Sequence, residues 1–374
     1  MIKFRNTWAE IDLDKIAHNV KALANLLPKE HRVMGVVKGD GYGHGSVQVA
    51  RTLTENGVDF LMVALLEEAV TLREGGIRTP ILVVGRTNPA YAHVAAAYDI
   101  TLTVFQKDWL DGVATKLFPK PLDVHVEFET GMNRTGIVTE QDLHEVVEHV
   151  KKMEQVNITG AYTHFATADE INSDQYETQH KRYHHMLGIL ASLVGDNLIT
   201  HIGNSAAGIQ YSQDMLDYTR FGVSLYGIYP SADVASLEKV TLKQAMHVHS
   251  EISQIKQVHP GDAISYGATY TAEKEEWIAT VPIGYADGWS RALQGFHVLV
   301  DGKRCPIVGR ICMDSMMIKV DQYYEAGKRV TLIGENNGAF ISMDDVASHL
   351  GTIGYEIPVM LTSRIPREYK LRSQ

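Results

Sequence analysis

The sequence is poor in cysteine and has no long apolar run. Its 374 residues include only two cysteines, Cys305 and Cys312. Two are too few for a disulfide framework, and we expect both to be reduced thiols. No stretch approaches the roughly 20 consecutive apolar residues of a membrane-spanning helix, and the Met1 end lacks the apolar core of a signal peptide. We therefore expect a cytoplasmic protein with no membrane partner.

The chain also lacks a basic segment. It has 35 Lys and Arg against 45 Asp and Glu, for a formal net charge of −10, and this balance argues against nucleic acid as a partner. Seventeen histidines are present. However, His184-His185 and His247-x-His249 have no carboxylate or thiolate nearby at a zinc-like spacing. We expect surface or packing roles for these four and predict no metal site.

What the sequence does contain is a repeat of short apolar runs and longer helix-like segments. Such alternation is typical of a parallel sheet buried on both faces, and eight runs predict a closed α/β structure, the (β/α)8 or TIM-type barrel. The alternative is an open doubly wound sheet, but no dinucleotide glycine fingerprint follows the first strand. The predicted strands are 33–37, 59–64, 81–85, 100–104, 122–128, 158–165, 198–203 and 218–226, and the helices between them are 46–56, 67–74, 88–97, 107–117, 140–153 and 174–194.

The two ends of the chain differ from this repeat. A short strand is expected over 7–12, followed by a helix that Asp14 would cap and that Pro28 would end. After about Ser231 turns become frequent, which indicates a second, mainly β domain. Since 374 residues are long for one core, we predict a barrel over 12–232 and a C-terminal β domain over 233–374, joined by the N-terminal strand 1–11. Strands in that domain are predicted at 277–281, 297–300, 307–308, 316–320 and 329–333.

Polar residues follow five of the predicted barrel strands. In a parallel barrel the carboxyl ends of the strands form one mouth, where the chemistry takes place. Each residue alone would be expected as a buried core histidine or a solvated arginine, and Lys38 alone as either a nucleophilic lysine or a strand-end lysine reaching solvent. Their matching positions favour a shared site. The polar residues are Lys38, Arg134, His164, His201, Asn204, Ser205 and Arg220, and Gly222 and Val223 lie beside Arg220 in the eighth segment.

The last two strands predict an anion-binding loop. Asn204-Ser205-Ala206-Ala207-Gly208 offers a hydroxyl and backbone N–H groups at a helix start, and Phe221-Gly222-Val223 offers further backbone. A reactive lysine and a phosphate site at one barrel mouth suggest pyridoxal 5′-phosphate (PLP) bound covalently to the lysine.

Six distinct motifs are spread over nearly the whole chain. In order they are Val36-Val37-Lys38-x-Asp40-x-Tyr42-Gly43-His44-Gly45, Gly131-Met132-x-Arg134-x-Gly136, Thr163-His164-Phe165-Ala166-x-Ala168-Asp169-Glu170, Ser265-Tyr266-Gly267-Ala268, Gly284-Tyr285-Ala286-Asp287-Gly288 and Gly309-Arg310-Ile311-Cys312-Met313-Asp314. In these motifs the sequence resembles the alanine racemases, PLP enzymes with an N-terminal barrel and a C-terminal β domain. The resemblance implies interconversion of L- and D-alanine, supplying D-alanine for peptidoglycan, by a homodimer with shared active sites.

The resemblance also implies a role for each motif residue. Lys38 would carry the cofactor and act as one acid/base, and Tyr266 from the other subunit would act on the opposite face. The phosphate would lie among Tyr42, Ser205, Gly222, Val223 and Tyr355, with Asn204 beside them. Arg220 would face the pyridine nitrogen with His201 behind it, His164 would lie near Tyr266, and Arg134 near the cofactor's phenolic oxygen and the substrate carboxylate. Met313 and Asp314 of the other subunit would line the substrate pocket, and Asp169, Tyr285, Arg291, Arg310 and Ile353 the entry corridor.

Two residues bear on the choice between reactions. A guanidinium at Arg220 does not give up its proton, which favours return of the Cα proton over transamination, whereas related decarboxylases place an acid there.

Glu127 stands where many family members have a lysine, often carbamylated, and we interpret it as a permanent negative charge that braces Arg134. The alternatives are a broad-specificity amino-acid racemase on the same scaffold and a non-catalytic PLP carrier. Carriers resemble only the N-terminal half of the chain.

Overall fold

The computed structural model describes residues 4–115, 118 and 120–370. The chain divides into two compact units. The barrel unit consists of residues 16–41 and 45–243, and the β unit consists of the described parts of 1–15, 42–44 and 244–374. The predicted domain limits at 12–232 and 233–374 stay predictions.

The chain begins with strand β1 (Thr7–Asp12) and helix α1 (Leu13–Ala24). The cap of α1 is Asp12 and not Asp14 as predicted, because the Oδ1 atom of Asp12 accepts the backbone N–H groups of Asp14 and Lys15, each at 3.1 Å. The strand therefore runs directly into the helix. Helix α1 ends at Ala24, four residues before Pro28.

Eight parallel strands close into a barrel, which confirms the predicted (β/α)8 fold. Closure occurs where the first strand pairs with the last, for example Met34 with Arg220. The strands are almost wholly apolar and buried on both faces, as in Phe60–Val63 and Ile81–Val83. They are β2 (Arg32–Val36), β3 (Phe60–Val63), β4 (Ile81–Val83), β5 (Ile100–Val104), β6 (Leu122–Glu127), β7 (Val156–Tyr162), β8 (Ile199–His201) and β9 (Tyr218–Phe221).

Amphipathic helices cover the barrel strands. Helix α6 (Glu140–Val150) shows how local sequence sets the start and the buried face of a helix. Thr139 and Asp142 form a reciprocal capping box at its start, and Leu143, Val146, Val147 and Val150 bury one face at helical spacing. The helices are α2 (Ser46–Glu55), α3 (Leu66–Glu74), α4 (Ala92–Ala97), α5 (Lys107–Ala114), α6 (Glu140–Val150), α7 (Asp174–Val194), α8 (Ser205–Gln210) and α9 (Ala232–Ser236).

Several predicted limits differ from those observed. The predicted strand 218–226 ends at Phe221 and gives way to a 3-10 helix, Val223–Tyr226. The predicted helix 88–97 is a 3-10 turn, Pro89–Tyr91, followed by α4, and the side chain of Asn88 caps that turn by accepting the N–H of Ala90. The predicted end of the helix 107–117, at Leu117, lies outside the described residues. Apolar content marks the middle of each element well, but hydrogen bonding at its ends sets the limits.

The β unit is built on one large sheet. Its order is β11-β14-β17-β16-β15-β18-β10-β1-β20, with β19 paired to β18 and a separate pair β12-β13. Strand β1 runs antiparallel to β10 and parallel to β20. The strands are β10 (Met246–Glu251), β11 (Gln254–Val258), β12 (Ala263–Ile264), β13 (Tyr270–Thr271), β14 (Glu276–Val281), β15 (His297–Val300), β16 (Lys303–Val308), β17 (Met316–Val320), β18 (Arg329–Asn336), β19 (Ala339–Ile341) and β20 (Arg367–Lys370), and the helices are α10 (Met343–Leu350) and α11 (Glu356–Met360).

The predicted elements include neither helix α10 nor helix α11. Helix α10 does carry a local signal, since Ser342 and Asp345 form a capping box and Gly351 ends the helix with a left-handed residue.

Both cysteines are free thiols, Cys305 buried and Cys312 half-buried. Across the described ranges no helix combines the length and apolar character needed to cross a membrane.

The segment after β2 has an unusual backbone. Gly39, Asp40, Gly41 and Tyr42 all have positive φ, at 62°, 52°, 61° and 50°, so the chain makes one left-handed turn directly after Lys38. An L-residue with a side chain loses roughly 1–2 kcal/mol in this conformation, whereas glycine does not. The two glycines therefore lower the cost of the turn that follows Lys38.

We expect Gly39→Ala to lower the free energy of unfolding by about 1 kcal/mol. A Cβ at Gly39 meets no atom within 4 Å, so the loss would be conformational and not steric. Gly188→Ala is the matched control, because Gly188 is equally open but lies inside helix α7 with ordinary φ. That change should stabilise by about 0.5–1 kcal/mol. Urea unfolding of both variants measures the difference, and equal shifts of the same sign would contradict the prediction.

Candidate active site

Lys38 lies half-buried after β2, in the barrel unit. Burial lowers the pKa of its amine, and the charges of Arg134 and Arg220 lower it further, while Glu68 opposes them. A lower pKa leaves more of the amine unprotonated near neutral pH, which is the nucleophilic and basic form. Lysines with a lowered pKa are suited to nucleophilic or basic roles.

Glu68 fixes the backbone beside this lysine. One carboxylate oxygen accepts the N–H of Gly39 at 2.5 Å, and the other accepts the N–H groups of Ala64 and Leu65 at 2.9 and 3.1 Å. The side chain thus joins the turn after β2 to the end of β3. Asp40 anchors the other end of the turn, since its Oδ1 accepts the N–H of Ser46 at 2.8 Å.

Arg220, on β9, is buried and surrounded by acceptors. Its NH1 group donates to Nδ1 and to the carbonyl oxygen of His201, at 2.9 and 2.6 Å. Its NH2 group donates to the carbonyl oxygens of Thr163 and Ile202, at 2.7 and 3.1 Å, and to Nδ1 of His164 at 3.2 Å. Burial lowers the pKa of Arg220 to about 10, which still leaves the guanidinium charged at neutral pH.

These contacts determine the tautomers of two buried histidines. A guanidinium only donates, so Nδ1 of His201 is an acceptor and its Nε2 carries the hydrogen. That Nε2–H donates to Nδ1 of His125 at 2.9 Å. Burial holds the pKa of His201 well below its usual range and lowers that of His125 to about 3. Both rings are therefore neutral, and Tyr162 stacks on His201 with ring centroids 4.8 Å apart.

Glu127, at the end of β6, is 3% exposed. Burial raises the pKa of its carboxyl. Hydrogen bonds from Thr135 and Tyr162 and the charges of Arg134 and Arg220 lower that pKa, but they do not cancel the effect of burial. Its Oε2 atom has no hydrogen-bond partner among the described residues. Burying a carboxylate with an unused oxygen is costly, and this cost indicates a functional reason for the residue.

The loop that carries Arg134 is held by its own backbone contacts. Glu129 accepts the N–H groups of Gly131 and Arg134, the latter at 3.3 Å. Helix α7 supports the same loop, since Gln175 donates to the carbonyl of Gly131 at 2.8 Å. Arg134 itself is exposed, so its side chain is accessible to a ligand.

Helix α7 also supports the segment that carries His164. The amide of Gln179 donates to the carbonyl of His164 and accepts the N–H of Ala166, both at 2.9 Å, and it donates to the hydroxyl of Thr130 at 3.2 Å. Burial, together with Arg220, Arg134 and Lys38, holds the pKa of His164 well below its usual range.

The segment predicted to bind an anion lies at the start of helix α8. Asn204 caps this helix, with its Oδ1 accepting the N–H of Ala207 at 3.0 Å. The hydroxyl of Ser205 accepts the N–H of Gly222 at 2.9 Å, and Val223 begins the 3-10 helix that follows. The two loops predicted to share an anion are therefore neighbours.

Asp169, a predicted corridor residue, lies in the barrel unit, where its carbonyl oxygen accepts a hydrogen bond from the Ser231 hydroxyl.

The β unit brings together another part of the predicted set. Tyr266 is 69% exposed and Met313 is 52% exposed. Ser265 donates to the carbonyl of Arg310 at 2.6 Å. The N–H groups of Tyr285 and Ala286 donate to the carbonyls of Cys312 and Met313 at 3.1 and 3.0 Å. The loops with Tyr266, Arg310, Tyr285 and Met313 therefore form one continuous surface.

The remaining predicted residues of this unit lie as follows. Asp314 is exposed and pairs with Arg364 at 2.7 Å. Arg291 begins a 3-10 turn, and Ile353 is exposed. Tyr42 is half-buried, and its burial and the neighbouring Tyr355 raise its pKa.

Sequence reasoning missed His125, Glu68, Tyr162 and Gln179. His125 had a usable signal, since it alternates with Glu127 on strand β6 and so shares its face. The other three act through contacts between distant segments, for which the sequence carries no local mark. Within the ranges that the structure describes, no group of three or more His, Cys, Asp or Glu could hold a metal ion.

Both parts of the chain match models of one family. The model of the alanine racemase N-terminal domain matches residues 11–230, and that of the alanine racemase C-terminal domain matches residues 245–369. The chain belongs to the alanine racemase family. The predicted resemblance is thereby confirmed, and with it the assignment to an isomerase family that acts on amino acids.

Individual relatives agree with this assignment. The chain is 48% identical to the alanine racemase of Geobacillus stearothermophilus over 97% of this chain and 93% of that protein. It is 42% identical to alanine racemase 1 of Bacillus subtilis, over 98% and 93%. The crystal structure of the Bacillus anthracis alanine racemase with bound L-Ala-P superimposes with a TM-score of 0.97 at 40% identity, covering 100% of this chain and 97% of that one.

One solved structure of different specificity is also similar. The histidine racemase of Leuconostoc mesenteroides has a TM-score of 0.90 at 29% identity and covers 99% of both chains. Proteins of this architecture therefore include racemases of amino acids other than alanine. The scaffold alone does not determine the side chain accepted.

Proposed function

We propose that this chain is a PLP-dependent alanine racemase that interconverts L- and D-alanine with two acid/base groups on opposite faces of the substrate. The observation that carries the proposal is a lysine amine of lowered pKa beside Arg134 and Arg220 at the mouth of a (β/α)8 barrel. The D-alanine formed would supply peptidoglycan synthesis. The cytoplasmic location stays a prediction.

The barrel residues fit the cofactor. Lys38 would hold PLP covalently, and the neighbouring Ser205 and Gly222 would hold its phosphate, with Val223 and Asn204 beside them. The contacts of Arg220 use NH1 and NH2, and among the described residues none engages its Nε–H. That donor would face the pyridine nitrogen. Bound PLP supplies the electron sink that acidifies the Cα–H of the amino acid.

The chain's own residues then decide the reaction. Lys38, released by substrate, would take or return the Cα proton on one face. Arg220 would donate a hydrogen bond without transferring its proton, because its pKa of about 10 keeps it charged. It thereby weakens the electron sink and favours return of the proton at Cα over transamination. Arg134 would hold the substrate carboxylate by charge-assisted hydrogen bonds.

The second face belongs to the β unit of a partner subunit in this proposal. Tyr266 would take or return the proton there, Met313 and Asp314 would line the pocket, and Tyr285, Arg310, Arg291, Ile353 and Asp169 would form its entry. The support is that Tyr266 and Met313, two large side chains with apolar surface, are exposed on loops joined by the hydrogen bond from Ser265 to the carbonyl of Arg310. Such patches are typical of surfaces that bind a partner.

Chiral analysis of products from a panel of L-amino acids tests the proposed activity. We expect L-alanine to racemise fastest, L-serine more slowly, since a pocket rejects an added hydroxyl by at most about 10²-fold, and L-histidine least, because Tyr355, Met313 and Ile353 are bulky. The alternative is a racemase of broader specificity, which the similarity to a histidine racemase favours. Turnover of L-histidine at or above that of L-alanine would establish that alternative.

We further infer that Glu127 supplies a permanent negative charge that positions Arg134. The support is electrostatic, since the charges of Arg134 and Arg220 both act on this carboxyl and offset part of the burial that raises its pKa. Glu127→Gln keeps the shape and removes the charge. We expect kcat/KM for alanine to fall by about 10- to 100-fold, the scale of a slight misplacement of a binding group. Unchanged kinetics would disprove the role. Asp123→Asn, on the exposed face of the same strand, is the control.

The same substitution is expected to alter the pH dependence of stability. Burial raises the pKa of Glu127 above its ordinary value of 4.5, so the folded chain binds this proton more tightly than the unfolded chain. The free energy of unfolding therefore falls as the pH rises above about 4.5, until the folded carboxyl has ionised. The amide of Glu127→Gln has no such proton to lose. Urea unfolding of E127Q and wild type at pH 4.5 and pH 8 should show E127Q gaining relative stability at the higher pH.

A further inference from the structure

Helix α7 carries two histidines one turn apart. His180 and His184 lie at positions i and i+4 and so share a face of the helix. Their Nε2 atoms are 3.3 Å apart, and their ring centroids are 4.5 Å apart at an angle of 60°. His180 is half-buried and His184 is exposed, so the pair is accessible from solvent.

Neighbouring aromatic rings hold the two imidazoles. Tyr176, one turn before His180, stacks on it at 5.9 Å and itself stacks on Tyr211 at 3.8 Å. Tyr183 contacts the edge of His184 at 5.7 Å. Because these rings restrict both side chains, less rotamer freedom remains to be lost when a ligand binds between them.

The distance between the two nitrogens fits chelation. Zinc binds histidine nitrogen at about 2.0–2.1 Å, and two such bonds to atoms 3.3 Å apart would meet at an angle of roughly 104–111°. This is close to the tetrahedral angle. As a hydrogen bond, by contrast, 3.3 Å between two nitrogens is longer than the usual range.

We propose that His180 and His184 form a surface site for one divalent transition-metal ion, with water completing the coordination. Imidazole suits Cu²⁺, Ni²⁺ and Zn²⁺, whereas Mg²⁺ and Ca²⁺ prefer oxygen ligands. No third His, Cys, Asp or Glu joins the pair within the part of the chain that the structure describes. The ion is therefore exchangeable, in contrast to a structural zinc.

The electrostatics of the pair favour binding. A metal requires neutral imidazole, and burial together with His180 lowers the pKa of His184. The unprotonated form is thus more populated near neutral pH than for an isolated histidine.

The position on α7 gives the site a structural consequence. The residue next to His180 is Gln179, which holds the segments of His164 and Thr130. An ion that links two positions one turn apart stabilises that turn of helix, since it binds the folded form and not the unfolded one. We expect slower amide exchange of α7 with metal bound.

Titration of the whole protein with Cu²⁺, followed by electron paramagnetic resonance, tests the site. Wild type should bind an ion coupled to two imidazole nitrogens, with affinity in the order Cu²⁺ over Ni²⁺ and Zn²⁺. His180→Ala and His184→Ala should each lose this signal and bind that ion at least about tenfold more weakly, because the chelate is broken. His185→Ala should keep it, since His185 is an exposed histidine of the same helix bonded instead to Glu140 at 2.7 Å.

Circular dichroism of each variant establishes that the helix persists, so that loss of metal cannot be attributed to unfolding. The proposal is overturned if either single variant retains the two-nitrogen signal, or if wild type and both variants bind the same number of ions with equal affinity. A loss in His185→Ala equal to that in His184→Ala would also overturn it. None of these outcomes depends on racemase activity.

Discussion

Tyr266→Phe is expected to abolish racemisation while leaving exchange of the Cα hydrogen with solvent for one enantiomer of alanine. The substitution removes a single hydroxyl, and a positioned acid/base group contributes about 10²–10⁴-fold to a rate. With no second acid/base on that face, we expect a loss of about 10³-fold or more. Lys38 remains, and it still serves its own face.

Deuterium incorporation separates this prediction from a general loss of function. In D2O, Tyr266→Phe should incorporate deuterium into one alanine enantiomer with retention of configuration, and into the other scarcely at all. A variant that merely bound substrate poorly would slow exchange of both enantiomers alike. Racemisation at the wild-type rate, or equal exchange of both enantiomers, would contradict the two-base proposal.

The fold should tolerate the change. Tyr266 is 69% exposed, and exposed substitutions usually alter the free energy of unfolding by no more than about 0.5 kcal/mol. Tyr323→Phe is a suitable control, since Tyr323 is 55% exposed in the same unit and packs its ring against Trp277 at 5.4 Å. We expect it to retain full activity.

The barrel was predictable because its strands are buried on both faces, so that each appears in the sequence as an unbroken apolar run. Ile81–Val83 shows this, and the limits of Ile100–Val104, which carries two threonines, are predicted and observed alike. The site at the strand ends followed from the same topology, because residues after parallel strands share one edge. The positions of Lys38, Ser205 and Arg220 required no further information.

Other features depend on contacts that no local pattern records. Glu68 lies 29 residues from Gly39, and His125 lies 76 residues from His201, so each pairing exists only once the strands beside these residues have come together. The left-handed turn after Lys38 is a backbone conformation that glycine allows but does not require, so the glycines alone do not predict it. The roles of Tyr266 and Met313 came from resemblance alone, because an exposed tyrosine or methionine carries no chemical signal of its own.

Lys38→Ala is expected to remove both the bound cofactor and the activity. Lys38 would hold PLP and also act as one acid/base, so we expect a fall in kcat of at least about 10³-fold. The near-visible absorbance of lysine-bound PLP should be absent from this variant. If the purified wild-type protein is colourless and gains no colour when PLP is added, the proposed function itself is refuted.

Lys15→Ala controls for unselective labelling. PLP is a reactive aldehyde, and burial lowers the pKa of Lys15 as well, so a nucleophilic amine alone does not define the site. We expect Lys15→Ala to keep its absorbance and activity, because Lys15 lies against His247 at 2.6 Å in the β unit. Borohydride reduction and peptide mapping of wild type should place the cofactor on Lys38.

Mixing the two inactive variants tests whether the site is shared. In a heterodimer of K38A and Y266F, one site receives Lys38 from the Y266F protomer and Tyr266 from the K38A protomer, while the other site lacks both. Random reassortment makes half of the dimers heterodimers, so activity should return to about a quarter of wild type. If Tyr266 served Lys38 of its own chain, no mixture could place both intact residues in one site, and the mixture would remain as inactive as its components.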